Sequence, residues 1–239
     1  MRIDSVKVVS FSGIDGAGKS TQIEALCRSL RGRGFHCAVY TFWDDVVAFS
    51  KVREHISLRA FKGDKGIGSP DKPIVRRDKN VSTWYITVFR SFLYMLDAFS
   101  LSVAVSRNAE SDTDFLIFDR YIYDELANLP MENPAVSLYV RALLRFIPQP
   151  DVALFLDAYP EEATTRKPEY PLEFVRRNRD AYHRMSRLVG MTVIPPLSIE
   201  QARGIIEQLV EEKCLGTNQS TFQGTSEDDR AASLEAHHS

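Results

Sequence analysis

The sequence predicts an α/β protein in which five parallel strands form one sheet, with helices packed on both faces. Short β-branched and aromatic runs predict buried strands, and they lie at residues 6–11, 36–42, 115–118, 152–156 and 191–194. Segments with apolar residues at helical spacing separate these runs, and they lie at residues 19–30, 83–105, 135–146, 172–189 and 199–212. Since right-handed crossovers join neighbouring strands of such units, the strands are expected to be parallel.

The chain length and local composition predict one domain with two irregular regions. With 239 residues, the chain can bury one substantial core, which we assign to residues 1–214. Residues 43–80 lose the periodic pattern and become rich in Gly, Pro, Lys and Asp, which is typical of a surface insertion. Residues 215–239 are mostly small and polar, so we expect a disordered tail.

The overall charge and the cysteines indicate a cytoplasmic protein that binds neither nucleic acid nor membrane. The formal net charge of -2 lacks the basic excess of nucleic-acid binders. The three cysteines are far apart and match no metal-ligand spacing, so we expect reduced thiols. Residues 1–5 are too short and polar for a signal peptide. The apolar segment 83–105 contains Arg90 and Asp97, which favours a buried helix over a membrane span.

A glycine-rich motif between the first strand and the first helix predicts a phosphate-binding loop. Gly13-Ile14-Asp15-Gly16-Ala17-Gly18-Lys19-Ser20 fits the pattern G-x-x-x-x-G-K-[ST]. Glycines let several backbone N–H groups converge on phosphate oxygens, and the following helix directs its positive end at the same anion. The predicted ATP-binding residues are Gly13, Asp15, Gly16, Ala17, Gly18, Lys19, Ser20 and Thr21, with Lys19 at the β- and γ-phosphates and Ser20 as a Mg²⁺ ligand.

A guanine-reading motif distinguishes GTPases from other P-loop proteins. GTPases carry a guanine-reading N-K-x-D motif, and this sequence has none. The absence favours a P-loop NTPase fold of the nucleotide-kinase type over a GTPase.

Beyond this loop, the sequence resembles the thymidylate kinases. As in that family, the loop sequence has an acidic residue, at Asp15. Asp119-Arg120-Tyr121 follows the third predicted strand and resembles the family's D-R-Y/F/H motif. Residues 156–158 and 160–163 are similar to the family's exit from the fourth strand, and residues 159–175 stand in the place of its lid.

The resemblance implies ATP- and Mg²⁺-dependent transfer of a phosphoryl group to a nucleoside monophosphate. It implies that Arg120 holds the acceptor phosphate, that Asp15 orients this arginine or the metal, and that Arg166 closes over the transferring group. Asp119 would contribute to the metal site with Ser20, and Lys19 would act in catalysis. Because the acceptor oxyanion is already ionised, such an enzyme needs positive charge more than a general base.

On the acceptor side the sequence departs from the family pattern. The family's R-E-P segment is replaced by Thr41-Phe42-Trp43-Asp44-Asp45. The family's base-stacking aromatic residue corresponds to Tyr94, but the base-reading arginine four positions later is Ala98. We therefore predict that Tyr94, Trp43, Asp44 and Arg120 contact the acceptor, whose base is left open. Basic residues between 51 and 79 are candidates to replace the missing arginine, or are simply solvated.

Plainer structural roles compete for several of these residues. Asp119 and Arg120 could form an ion pair at a strand end, and Arg166 could belong to a solvated face together with the arginines of segment 172–189. Asp157 is expected to be a structural strand-end residue, and His55 and His183 are expected at the surface. The helix at 83–105 could be core, or could form the interface of a homodimer, as in the family.

Two other functions stay open. The first is a kinase for a nucleoside or another small-molecule hydroxyl group, with Asp44 or Asp45 as the base. The second is an ATP-binding regulatory module without transferase activity.

Overall fold

A computed structural model describes residues 5–46, 84–109 and 112–216 of the chain, and in helix 84–109 the side chains of residues 91–108. The strands are β1 (Lys7–Ser12), β2 (Cys37–Thr41), β3 (Phe115–Asp119), β4 (Val152–Leu156) and β5 (Thr192–Ile194). The α-helices are α1 (Lys19–Gly32), α2 (Trp84–Ala109), α3 (Ile122–Leu126), α4 (Pro134–Leu143), α5 (Pro160–Arg166), α6 (Leu172–Val189) and α7 (Ile199–Val210). Phe42–Val46 and Glu211–Leu215 form π-helical turns.

The five strands form one parallel sheet in the order β2-β3-β1-β4-β5, so the predicted fold class is confirmed. The register places Phe11 and Thr41 on either side of Asp119. The chain therefore leaves β1, β2 and β3 at the same edge of the sheet. In open parallel sheets this carboxyl edge is where ligands bind.

Two hydrophobic clusters cover the two faces of the sheet because alternate strand residues point in opposite directions. Leu116 and Phe118 pack on the face that carries α2, α3, α4 and α6. Phe115 and Ile117 pack on the other face, with α1 and α7. All four side chains are fully buried, as expected for a strand covered on both sides.

Local signals account for several helix boundaries. The side chain of Asn133 accepts a hydrogen bond from the N–H of Ala135 at the start of α4. Ser198 and Gln201 form a reciprocal capping box at the start of α7. The predicted helices at 135–146 and 199–212 are shorter in the structure, ending at Leu143 and Val210.

Part of the predicted domain organisation lies outside the described residues. This holds for most of the 43–80 insertion with its basic residues and His55, and for the tail beyond Gly216. The predicted lid at 159–175 is described, and it comprises α5 and the beginning of α6. Its assignment as a lid stays a prediction.

Candidate functional site

The phosphate-loop sequence connects β1 to α1 and passes very close to helix α5. Gly16 has a φ of +84°, and a Cβ atom at this position would lie 2.5 Å from the carbonyl oxygen of Ala163. Only glycine combines this backbone conformation with this approach. The loop therefore presents its backbone without side-chain obstruction, as a phosphate cradle requires.

Lys19 lies over this loop at the start of α1. Its Nζ donates hydrogen bonds to the carbonyl oxygens of Gly13 at 2.9 Å and Ile14 at 3.0 Å. Burial lowers the pKa of Lys19 to about 8; Arg120 lowers it as well, while Asp15 and Asp124 oppose this effect. A buried ammonium group next to a backbone cradle is well placed to neutralise a bound polyphosphate.

Arg120 stands directly after β3 and points back at the phosphate loop. Its Nη2 donates to Oδ1 of Asp15 in an ion pair that is largely shielded from solvent. The backbone of Arg120 has a φ of +70°, which is uncommon for a residue with a side chain. Asp15 in the loop after β1 and Arg120 directly after β3, both singled out by the motifs, therefore meet at one site.

A buried aspartate that the motifs did not point to lies beside Arg120. Oδ2 of Asp124 accepts a hydrogen bond from Oγ of Ser12 at 2.5 Å, and Oδ1 accepts one from the hydroxyl of Tyr182 at 2.7 Å. Nη1 of Arg120 lies 3.5 Å from Oδ1 of Asp124. The only local hint was the spacing of four residues between Arg120 and Asp124. Tyr182 belongs to an apolar stripe of α6 that indicates core.

The predicted metal residues lie at the same edge of the sheet. Ser20 is exposed in the first turn of α1, and Asp119 is the half-buried last residue of β3. The described residues hold no group of three or more His, Cys, Asp or Glu side chains that could bind a metal by themselves. Mg²⁺ that is held mainly by nucleotide phosphates needs only one or two protein ligands, so a hydroxyl and a nearby carboxylate fit it.

The predicted lid arginine, Arg166, lies at the end of α5 and is exposed. Its Nη2 donates to Oε2 of Glu162 at 3.1 Å, one turn earlier in the same helix. The structure therefore does not bring Arg166 together with Lys19 and Arg120. Arg176 of α6 pairs in a similar exposed manner with Glu161.

Asp157 and His183 form a second polar cluster, next to the start of the lid. Both carboxylate oxygens of Asp157 accept hydrogen bonds from Arg179 at 2.6 Å, which agrees with the predicted structural role. Burial alone would raise the pKa of Asp157, but the hydrogen bonds and charge of Arg179 outweigh it and lower the pKa. The predicted surface position of His183 is wrong: its ring is half-buried, with Nε2 at 3.2 Å from Asp157 and an edge contact to Phe155.

The predicted acceptor residues are distributed over two elements. Tyr94 of α2 is buried, and its hydroxyl donates to Oε2 of Glu125 at 3.4 Å. Ala98 is also buried, one turn further along α2. Trp43 packs against the core, whereas Asp44 is exposed in the turn after β2. Their contact with an acceptor stays a prediction.

Within the described residues, no helix is long and apolar enough to cross a membrane. The cytoplasmic location stays a prediction.

Comparisons with known proteins indicate a thymidylate kinase-like protein. No protein-family model matches the chain. The thymidylate kinases of Chlorobium luteolum and Chlorobaculum tepidum are 27% and 28% identical to it, over 74% of this chain and 75% and 83% of their own lengths. Two solved thymidylate kinase structures share the fold, with 87% of this chain covered in each. The one from Ehrlichia chaffeensis has a TM-score of 0.55 at 15% identity, and the one from Candida albicans 0.57 at 18%.

Proposed function

We propose that this chain, which is a thymidylate kinase-like protein, transfers the γ-phosphoryl group of ATP to a nucleoside monophosphate in a Mg²⁺-dependent reaction. One observation carries the proposal. Two buried or half-buried cations, Lys19 at the start of α1 and Arg120 directly after β3, lie at the same glycine-rich loop, and Asp15 pairs with Arg120 there. An ATP-binding module needs the loop and the lysine to hold the nucleotide, whereas the additional cation Arg120 supplies positive charge for a second phosphate group.

In the proposed reaction the site residues bind and neutralise the negatively charged phosphate groups of ATP and the acceptor. An oxygen of the acceptor phosphate attacks the γ-phosphorus of ATP, and the bond to the β–γ bridging oxygen breaks, which leaves ADP and a nucleoside diphosphate. Backbone N–H groups of the loop and Lys19 hold the β- and γ-phosphates, while Arg120 holds the acceptor phosphate. Ser20 and Asp119 would hold Mg²⁺, and the ion would neutralise phosphate charge. Arg166 would join them only after a movement of the segment that carries it.

Residue 98 bears on which base the acceptor nucleotide carries. Thymidylate kinases as a family read thymine with an arginine, and here a buried alanine, Ala98, occupies the corresponding position. The relatives in Chlorobium and Chlorobaculum are thymidylate kinases, and the Candida albicans enzyme is described as having broad substrate specificity. We therefore propose a monophosphate acceptor without fixing its base, with Tyr94 and Trp43 in the pocket wall.

The alternative hydroxyl kinase would need a free carboxylate base after β2. Oδ2 of Asp45 accepts a hydrogen bond from the backbone N–H of Thr41 at 2.7 Å, which is a local structural role. Asp44 is exposed in the same turn. The hydrogen bond of Asp45 favours the monophosphate kinase. Substitution of Asp44 tests the hydroxyl kinase.

The test is a panel of nucleoside monophosphates and nucleosides with ATP and Mg²⁺, scored by ADP release and by the labelled product. Transfer to a monophosphate, lost in Arg120→Ala, supports the proposal. Transfer to a nucleoside, lost in Asp44→Asn, establishes the hydroxyl kinase instead. Tight ATP binding without transfer to any compound establishes the regulatory module.

The predicted homodimer also stays a proposal. Phe92, Met95 and Phe99 lie along one side of α2 and are each more than half exposed. A dimer that packs α2 against its copy would cover them. Sedimentation equilibrium of the wild type and of Phe99→Asp tests it: a monomeric wild type contradicts the proposal.

A further inference from the structure

Asp124 is a buried carboxylate on α3 with four partners, which lie in β1, in the connection between β3 and α3, and in α6. It receives hydrogen bonds from Ser12 in β1, from the backbone N–H of Tyr121, and from Tyr182 in α6, at 2.5, 3.1 and 2.7 Å. Its fourth neighbour is Nη1 of Arg120. Only 2% of Asp124 is exposed, so its charge depends on these partners. Desolvation of such a carboxylate costs free energy, which its hydrogen bonds and the charge of Arg120 offset.

The guanidinium of Arg120 is fixed on two edges by this arrangement. Nη2 pairs with Asp15 of the phosphate loop, while Nη1 lies 3.5 Å from Asp124 and donates to the hydroxyl of Tyr182 at 3.3 Å. A guanidinium that is held by several partners cannot rotate freely. Its remaining N–H groups then keep fixed directions, which lets them bind a phosphate without further ordering.

We propose that Asp124 is a positioning residue for Arg120, and that Tyr182 makes this position depend on helix α6. The inference rests on the proposed function, because that function makes Arg120 the ligand of the acceptor phosphate. Helix α6 begins inside the predicted lid, and its Tyr182 touches both Asp124 and Arg120. Movement of α6 would therefore change the hydrogen bonds that orient the arginine.

The rival interpretation is that Asp124 only stabilises the fold. Two matched controls separate the two roles. Asp114 is a similarly buried aspartate that accepts a hydrogen bond from the backbone N–H of His36, at the opposite end of β3. Tyr123 is a buried tyrosine on α3, and among the described residues its hydroxyl makes no hydrogen bond to Arg120 or Asp124.

The experiment compares Asp124→Asn, Tyr182→Phe and their double variant with Asp114→Asn and Tyr123→Phe, all in the full chain. Steady-state kinetics use the nucleoside monophosphate that the wild type turns over. We expect the acceptor KM to rise roughly tenfold in Asp124→Asn and by a smaller factor in Tyr182→Phe, while the ATP KM changes less than about twofold. The double variant should match Asp124→Asn, because both changes release the same edge of the arginine.

A second measurement needs no acceptor, so it tests the inference even if no monophosphate is turned over. Guanidinium N–H signals of Arg120, assigned by their loss in Arg120→Lys, should be resolved in the ¹⁵N NMR spectrum of the wild type. We expect them to broaden in Asp124→Asn and Tyr182→Phe and to persist in both controls. Unchanged Arg120 signals, or a KM ratio that moves no more than in Asp114→Asn, would overturn the proposal.

Discussion

The guanidinium of Arg120 pairs with the carboxylate of Asp15 and thereby joins two points that lie 105 residues apart in the chain. Arg120 follows β3 and Asp15 lies in the loop after β1. Both side chains keep about a quarter of their surface exposed. The contact connects the proposed donor side of the site with the acceptor side, and it makes the geometry of one dependent on the other.

Asp15→Asn should lower kcat/KM for the acceptor more than kcat/KM for ATP. The substitution keeps the shape of the side chain but removes the charge that holds Nη2 of Arg120. A hydrogen bond between charged groups contributes about 1.5–3 kcal/mol, so we expect the acceptor kcat/KM to fall by roughly one to two orders of magnitude. Steady-state kinetics with each substrate varied in turn measure this effect. An unchanged acceptor constant would remove Asp15 from the site.

Lys19→Ala should abolish most of the turnover without unfolding the chain. The lysine lies over the loop and supplies the charge that the proposed transition state requires. We expect turnover to fall by roughly 10²–10³, by analogy with the loss of one preorganised donor. Rapid-quench measurements give the rate of the chemical step. Circular dichroism and thermal unfolding serve as the control, and unchanged kinetics would contradict the assignment.

The affinity for ATP should fall as the pH rises above about 8. The pKa of Lys19 is lowered to about 8 in the free protein, so the ammonium that attracts phosphate is lost above this value. Between about pH 7 and about pH 9 we expect the dissociation constant to rise roughly tenfold. Calorimetric titration measures it. Lys19→Met should bind more weakly but with a flat profile, and a sloping profile in that variant would assign the effect to another group.

Gly16→Ala should destabilise the loop more than Gly18→Ala. Both glycines have positive φ values, of +84° and +87°, so both variants incur the same backbone cost of about 1–2 kcal/mol. Only at Gly16 does the new methyl group meet backbone atoms, at the carbonyl of Ala163; nothing lies within 4 Å at Gly18. We expect Gly16→Ala to lose a further 1–3 kcal/mol, roughly, as in other overpacked sites. Urea unfolding measures the free energy of unfolding of both variants. Equal decreases in the two variants would contradict the close contact at Ala163.

Asp157→Asn should reduce stability at neutral pH, with a difference from wild type that shrinks in acid. Arg179 lowers the pKa of Asp157 below its ordinary value of 3.8, so the ionised pair stabilises the fold fully above that value. The contribution is lost as the pH falls through the lowered pKa. We expect a loss on the order of 2 kcal/mol at pH 7.

Urea unfolding at several pH values between about 7 and about 3 tests this expectation. Glu161→Gln is the matched control, because Glu161 pairs with Arg176 in an exposed position and such pairs contribute little. A difference between Asp157→Asn and wild type that stays constant into acid would contradict the assignment.

The sequence predicts the sheet and the phosphate loop because both are encoded locally. A buried strand such as β4 needs only a continuous apolar run, and its predicted bounds agree with the structure. The loop needs glycines and a lysine at fixed spacing. The helices α3 and α5 went unpredicted because Ile122–Leu126 and Pro160–Arg166 are too short to show a helical period.

The site beyond the loop depends on contacts between distant positions. Asp124 meets Ser12 across 112 residues and Tyr182 across 58, and no pattern in a single sequence connects them. The half-buried position of His183 went unpredicted for the same reason, because its partner Asp157 lies outside helix α6. The orientation of Arg166 could not be foreseen either, since its side chain can pair with Glu162 in its own helix or turn toward the loop.

The left-handed backbone of Arg120 restricts how this protein can diverge. A φ of +70° is tolerated by glycine and, less readily, by asparagine and aspartate, whereas β-branched residues are excluded. A lineage that adapts to a new acceptor cannot readily replace this arginine by a bulky residue without rebuilding the strand exit. Change of specificity would therefore accumulate at its neighbours, such as Asp124 and Ala98, while position 120 stays the same.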